Sequence, residues 1–288
     1  MKKHLLVFLI LSLGSSVINL SKAQVIQDYF FKNLDLSYIN PAALTMEGGL
    51  RGNVQYNRND MDKVNTEVGT QFQLHSNFKN HGVGISLQSH KSGIFSGNGL
   101  TAGYGYRVRL TDNQSLSVGT RATYYKQSIN RGQVQNANVS DPVLYGDSYN
   151  EGDLMLHAGV LYEWKGLQVG ITSPEFLPME SNTVISKNFN AYLGYTIPLE
   201  GFDLRPNFYY EDVKYLGNWY EIGLYGLIEK QLSLEGSYTS EQSVRMRAGF
   251  NLKNINLAYG FDSGNSTRNG VSKTSHQIFL EYRFGKVK

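Results

Sequence analysis

From Leu50 onward, apolar and polar residues alternate with a period of two. Leu50, Gly52, Val54 and Tyr56 stand against Arg51, Asn53, Gln55 and Asn57, and Thr66, Val68, Thr70, Phe72 and Leu74 stand against Glu67, Gly69, Gln71 and Gln73. Such alternation marks strands with two unlike faces. It continues through Val83, Ile85 and Leu87, then Leu100, Ala102, Tyr104, Tyr106, Val108 and Leu110, and then residues 115–126 and 153–164. Further strands are predicted near 167–173, 188–197, 203–212, 219–228, 231–239, 243–252, 255–262 and 275–284. About fourteen antiparallel strands of about 8 to 12 residues suit an all-β fold, a transmembrane antiparallel β-barrel.

The strand at 275–284 shows the pattern most clearly. His276, Ile278, Leu280, Tyr282 and Phe284 share one face, and Gln277, Phe279, Glu281 and Arg283 share the other. Lipid offers no partner to a free strand edge, so a final strand ending in aromatics is expected to close the barrel, with Tyr282 and Phe284 at the closure. Tight hairpins are predicted at Asn113, Lys165-Gly166, Glu229-Lys230 and Lys253-Asn254. Between them longer polar loops are expected, the longest over 128–152. Counted from Leu50, the tight turns fall at the end that holds both termini. In a membrane barrel that end is periplasmic and the long loops are extracellular.

A soluble barrel or sandwich also alternates. The polar face argues against it, because it carries Arg107, Arg109, Arg121, Glu163, Arg205, Glu221, Glu235, Arg245, Arg247 and Arg283. As a lumen this face is expected to be wet. Turned outward, it would leave an interior too wide for apolar side chains to fill. Rings also gather near strand ends, at Tyr124 and Tyr125, Tyr162 and Trp164, Tyr209 and Tyr210, and Trp219 and Tyr220, as a lipid–water boundary favours.

Residues 1–23 read as a signal peptide. Lys2 and Lys3 form a positive start, an apolar run too short to span a bilayer follows, and small residues precede cleavage between Ala23 and Gln24. The chain has 288 residues with no cysteine, which excludes a disulfide framework or a thiolate metal site. Of its 27 lysines and arginines, Lys2, Lys3 and Lys22 lie in the leader, and the remainder balance the 24 acidic residues. No basic excess is left to attract nucleic acid. Three segments follow: the leader at 1–23, an N-terminal segment at 24–48 with no clean period, and the barrel at 49–288. Two readings fit the middle one. It is a lead-in strand, or it is a short periplasmic hatch tucked into the barrel mouth, with Asn40 and Pro41 making its turn.

The search for chemistry finds no catalytic motif. His4, His75, His81, His90, His157 and His276 make no metal-ligand spacing, and neither a GxSxG elbow nor a P-loop is present. His157 falls on the inward phase with Glu163 and reads as lumen lining. No enzyme activity, cofactor or metal is expected. Arg107 with Arg109, and Arg245 with Arg247, would form basic ladders paired with lumenal glutamates. In the longest loop, Tyr145, Asp147 and Tyr149 sit among Gly, Asn and Ser, a composition suited to contact with another protein.

The INPAALT stretch at 39–45, VGISLQSH at 83–90, GLTAGYGYRVRL at 99–110 and the closing SHQIFLEYRF at 275–284 together resemble the PorP/SprF family. Two departures are visible: the chain runs past its terminal aromatic to Lys288, and the Arg-Asp-x-Trp run frequent in the family is not evident at 57–61. The resemblance implies an outer-membrane barrel of a Gram-negative bacterium, associated with the type IX secretion system and gliding motility. It further implies a partner: a large secreted cargo protein held by its C-terminal sorting domain, beside other components of that system and outer-membrane lipid. The Asn40-Pro41-Ala42 stretch also resembles the hatch of FadL-type channels, so an outer-membrane porin or transporter of small or hydrophobic compounds is the alternative. That alternative would need an apolar binding pocket where the inward phase reads polar.

Overall fold

The computed structural model describes residues 30–46, 49–61, 65–130, 152–173, 188–213, 217–266 and 271–285. Two short 3-10 helices, η1 (Leu36–Tyr38) and η2 (Pro41–Thr45), precede the strands. The strands are β1 (Gly49–Met61), β2 (Asn65–Phe78), β3 (His81–Ser92), β4 (Phe95–Thr111), β5 (Gln114–Ile129), β6 (Gly152–Trp164), β7 (Leu167–Ser173), β8 (Asn188–Tyr195), β9 (Ile197–Leu199), β10 (Phe202–Val213), β11 (Gly217–Ile228), β12 (Leu232–Thr239), β13 (Val244–Leu252), β14 (Ile255–Ser266) and β15 (Val271–Phe284). β8 and β9 both pair with β10 and form one stave interrupted at Thr196, so the barrel has fourteen staves. All pair antiparallel in chain order, and β15 returns to β1 with Leu50 opposite Phe284 and Gly52 opposite Tyr282. Closure pairs every described stave with a neighbour on each side.

The two faces separate as the alternation requires. On β15, Ile278, Leu280, Tyr282 and Phe284 are 46%, 46%, 45% and 50% exposed, while Gln277, Phe279 and Glu281 are 2%, 0% and 0% exposed. The oily face points out on every stave, the arrangement a bilayer demands. Two-residue connections at Lys79-Asn80, Asp112-Asn113, Lys165-Gly166, Glu200-Gly201 and Lys253-Asn254 join staves at the end where β1 begins and β15 ends. Left-handed backbone at Lys79, Lys165 and Lys253 matches the twist of such hairpins.

At the opposite end the expected longer loops include the longest one, between Ile129 and Gly152, but the connections there are mixed in length. Only the connections at 130–151 and 174–187 are long, and Gly93-Ile94 is as tight as any turn at the other end. The ring pairs also need correction. Adjacent residues of a strand point to opposite faces. Tyr124 is 50% exposed on the outer face and Tyr125 only 8%. Likewise Tyr220 faces out, while Trp219 and Tyr209 are buried inside. Half of each adjacent pair therefore serves the interior and not the lipid boundary.

That interior is not the wet lumen expected from its charges. Fourteen strands about 4.8 Å apart and tilted about 40° enclose a barrel roughly 28 Å across at the backbone, too wide for wall side chains alone to fill. Residues 30–46 enter it and bring the missing apolar mass. Phe30, Phe31, Leu36, Tyr38, Ile39, Ala42 and Ala43 cluster with the inward residues Leu161, Tyr192, Tyr209, Trp219, Ala258 and Phe279. Phe31 packs on Phe279 with ring centroids 5.5 Å apart. The hydrophobic core thus lies between the N-terminal segment and one set of inward side chains, not between strands.

Candidate functional site

The site is the interface between residues 30–46 and the barrel wall. Two capped turns shape the segment. Asp35 caps η1 by accepting from the Ser37 amide at 3.0 Å, and Asn40 caps η2 by accepting from the Ala42 amide at 2.9 Å. Pro41 takes the first helical position, where its lack of an N–H costs nothing. The Asn40 amide nitrogen then donates to the backbone carbonyls of Val160, at 2.9 Å, and Ile171, at 3.4 Å. Those two residues face each other across β6 and β7, so Asn40 ties the segment to a wall ladder.

η2 lies against a row of inward glycines. Gly82 of β3 is opposite Gly105 of β4, Gly105 opposite Gly119 of β5, and Gly119 opposite Gly159 of β6. A Cβ on Gly82 would come within 2.9 Å of the Thr45 amide nitrogen, and one on Gly105 within 2.9 Å of Thr45 Cγ2. On Gly119 it would stand 2.6 Å from the Pro41 oxygen, and on Gly159 2.9 Å from Pro41 Cδ. Four adjacent staves thus give up their side chains at one register, and the backbone of 41–45 occupies the trough. Beside it the Thr45 hydroxyl donates to Ser117 Oγ at 2.8 Å, and Arg121 donates to the Tyr38 carbonyl at 2.7 Å.

The other end of the segment is held by charge. Lys32 Nζ lies 2.8 Å from Glu221, 4.6 Å from the centre of the Tyr209 ring and 5.1 Å from that of Trp219. Glu221 also pairs with Arg245 and Arg247, Arg245 pairs with Asp262 at 3.0 Å, and Arg247 pairs with Glu235. Arg245 lies 4.4 Å from the centre of the Phe30 ring. Asn33 donates to Glu235 at 2.6 Å and accepts from the Tyr192 hydroxyl at 2.7 Å. Buried charges such as these persist only where partners and hydrogen bonds replace water.

Across the lumen, Asp35 meets β1, β2 and β15. It accepts from Asn53 at 2.9 Å and lies 3.7 Å from His75 Nε2, while Tyr38 donates its hydroxyl to Asn53. Burial pushes the Asp35 carboxyl up, but His75, Arg51 and Ser37 together outweigh it and hold the group below 3.8. Asp35, His75 and Glu281 bring ligand atoms within 4.8 Å of one another. Arg51, 3.5 Å from Glu281, and Arg283, 2.7 Å from it, already supply cations to this cluster. Its chemistry is that of an ion-pair network.

Of the residues singled out from sequence, Asn40 and Pro41 lie buried at this interface. Tyr282 and Phe284 lie on the outer face at the β1–β15 closure, their rings 4.8 Å apart. Ala23, Gln24, Tyr145, Asp147 and Tyr149 fall outside the described residues. Of the arginine ladders, Arg107 lies 2.9 Å from Glu163, and Arg245 and Arg247 pair with Glu221, Glu235 and Asp262, while Arg109 is exposed. Sequence reasoning missed Lys32, Asp35, Tyr38 and the glycine row. A signal for them existed: Leu161, Tyr192, Trp219 and Phe279 are apolar or aromatic residues out of phase on the polar face, and inward glycines recur at Gly82, Gly84, Gly103 and Gly105.

The family described as type IX secretion system membrane protein PorP/SprF matches residues 20–282. No curated protein matches the chain. Among solved structures, the CymD monoaromatic hydrocarbon channel is similar, with TM-score 0.53 and 11% identity over 86% of this chain and 92% of that one. A Pseudomonas aeruginosa FadL homologue gives TM-score 0.53 and 10% identity over 86% and 94%. The Acinetobacter baumannii outer membrane protein Omp33 gives TM-score 0.50 and 9% identity over 83% and 99%. At these identities the likeness is one of fold: an outer-membrane barrel.

Proposed function

Because the chain belongs to the PorP/SprF family of type IX secretion system membrane proteins, we propose that it is a non-enzymatic outer-membrane barrel that supports surface attachment of a large secreted protein or gliding motility. It does so by binding the C-terminal sorting region of that cargo. The leader is removed between Ala23 and Gln24, both termini face the periplasm, and the two long connections at 130–151 and 174–187 face outward. The family match carries this reading. The lumen supports it, since ion pairs and the segment at 30–46 fill the space through which a channel would pass its solute. Recognition then falls to the outer loops, where Tyr145, Asp147 and Tyr149 offer rings and a carboxylate for contact.

Deleting residues 143–150 tests the proposal. Cargo display on the cell surface should fall while the folded barrel still migrates as a compact band without boiling. Undiminished display would remove this loop from the mechanism. Absence of any large secreted protein from the detergent-solubilised complex would remove cargo binding altogether.

A channel for hydrophobic compounds is the second reading, favoured by the fold shared with CymD and the FadL homologue. It needs an open apolar path, whereas the inward apolar residues Leu161, Tyr192, Tyr209, Trp219 and Phe279 are packed against the segment, and Arg, Glu, Asn, Gln and Ser line much of the rest of the described inward face. Uptake of a hydrophobic solute by reconstituted vesicles would favour the channel over the cargo receptor.

A further inference from the structure

The segment at 30–46 reaches every stave of the barrel, and its two ends are held by different physics. At η2 the fit is steric, backbone against the glycine row, close to the covalent anchor at β1. At residues 30–35 the hold is electrostatic, and the formal charges of the wall there are unequal. Among the described residues, Glu221, Glu235 and Asp262 are ion-paired with two wall cations, Arg245 and Arg247, and Lys32 supplies a third. On the other side, among the described residues, Arg51 and Arg283 are ion-paired with the wall carboxylate Glu281, and Asp35 adds a second carboxylate beside His75. Counted over these described wall residues alone, the first cluster carries one more acidic than basic group and the second one more basic than acidic. Lys32 and Asp35 offset both differences from a single turn of chain.

We propose that residues 30–46 are a keyed plug that seals the lumen, with 41–45 as its fixed seat and Lys32 with Asp35 as a two-charge latch whose loss lets 30–35 swing out and opens the barrel to ions. A buried pair contributes little net stability when complete but is costly when one partner is removed, so such a latch is closed in one state and strongly biased open in the other. The rings of Tyr209 and Trp219 around the ammonium add selectivity for a cation at that position. The plug serves whether or not the outer end binds a cargo.

Conductance of the refolded full-length protein in planar bilayers tests this, using only preparations that run as the compact folded band. The unmodified protein should stay closed in potassium chloride, and a chain lacking residues 30–35 should conduct steadily. Lys32→Gln should raise the open fraction roughly tenfold or more, the scale expected for leaving a buried carboxylate one partner short. Lys32→Arg should remain closed. Combining Lys32→Gln with Asp35→Asn should approach the truncated chain. The proposal is overturned if the unmodified protein conducts like the truncated one, or if the truncation stays closed. It is overturned equally if Lys32→Gln matches the unmodified protein while the truncation opens. Should Lys32→Gln give no folded band although Lys32→Arg does, Lys32 is a requirement of folding and the latch is wrong.

Discussion

Gly119 and Pro41 meet so closely that a methyl group on the glycine would stand 2.6 Å from the proline carbonyl oxygen. The contact joins the middle of the wall to the segment that fills the barrel. It depends on the absence of a side chain at one residue of β5.

Gly119→Val should therefore unseat η2. Forcing extra atoms into a packed contact costs about 1 to 3 kcal/mol, and the temperature at which the compact band is lost on an unboiled gel should fall. Gly236→Ala, with nothing near its added carbon, is the control and should leave that temperature unchanged.

Asn40→Ala removes the η2 cap together with the bonds to the Val160 and Ile171 carbonyls. A lost cap costs about 1 kcal/mol, with a similar amount for a wall bond left unmade. Thermal unfolding in detergent should shift down, and proteolysis should cut the N-terminal segment before the barrel. Asn40→Asp keeps the cap acceptor but not the donor, so it should recover only part of the loss.

Asp35 gives the plug an acid limit. Its carboxyl is held below 3.8 when folded, so the stability it contributes is present above that value and is lost as pH falls through its lowered pKa. Acid titration of plug protection from protease should show a step below pH 3.8. Asp35→Asn should remove that step and lower protection at neutral pH. A step that persists in Asp35→Asn would assign it to another group.

Phe284 closes the outer face of the seam beside Tyr282, opposite Leu50. Phe284→Ala should reduce the yield of folded barrel more than it reduces the stability of the barrel that forms, because pairing of the last stave with the first completes assembly. Pulse-chase conversion to the compact band measures the first and thermal loss of that band the second. Equal conversion would make the terminal ring dispensable.

The period of two is written locally, so the staves were legible residue by residue. Ile278, Leu280 and Tyr282 had to share a face, and lipid fixed which face that was. The tight turns at Lys165-Gly166 and Lys253-Asn254, and the closing role of the last strand, followed from the same short-range rules. What fills the barrel was not local. The row of Gly82, Gly105, Gly119 and Gly159 exists only once four strands are in register. The meeting of Lys32 with Glu221, or of Asp35 with His75, needs the chain to pass through the closed barrel. Polar residues on an inward phase look the same in sequence whether water or another stretch of chain faces them. Only the closed ring of strands, by bringing opposite walls within reach of one short segment, decided that it was the chain.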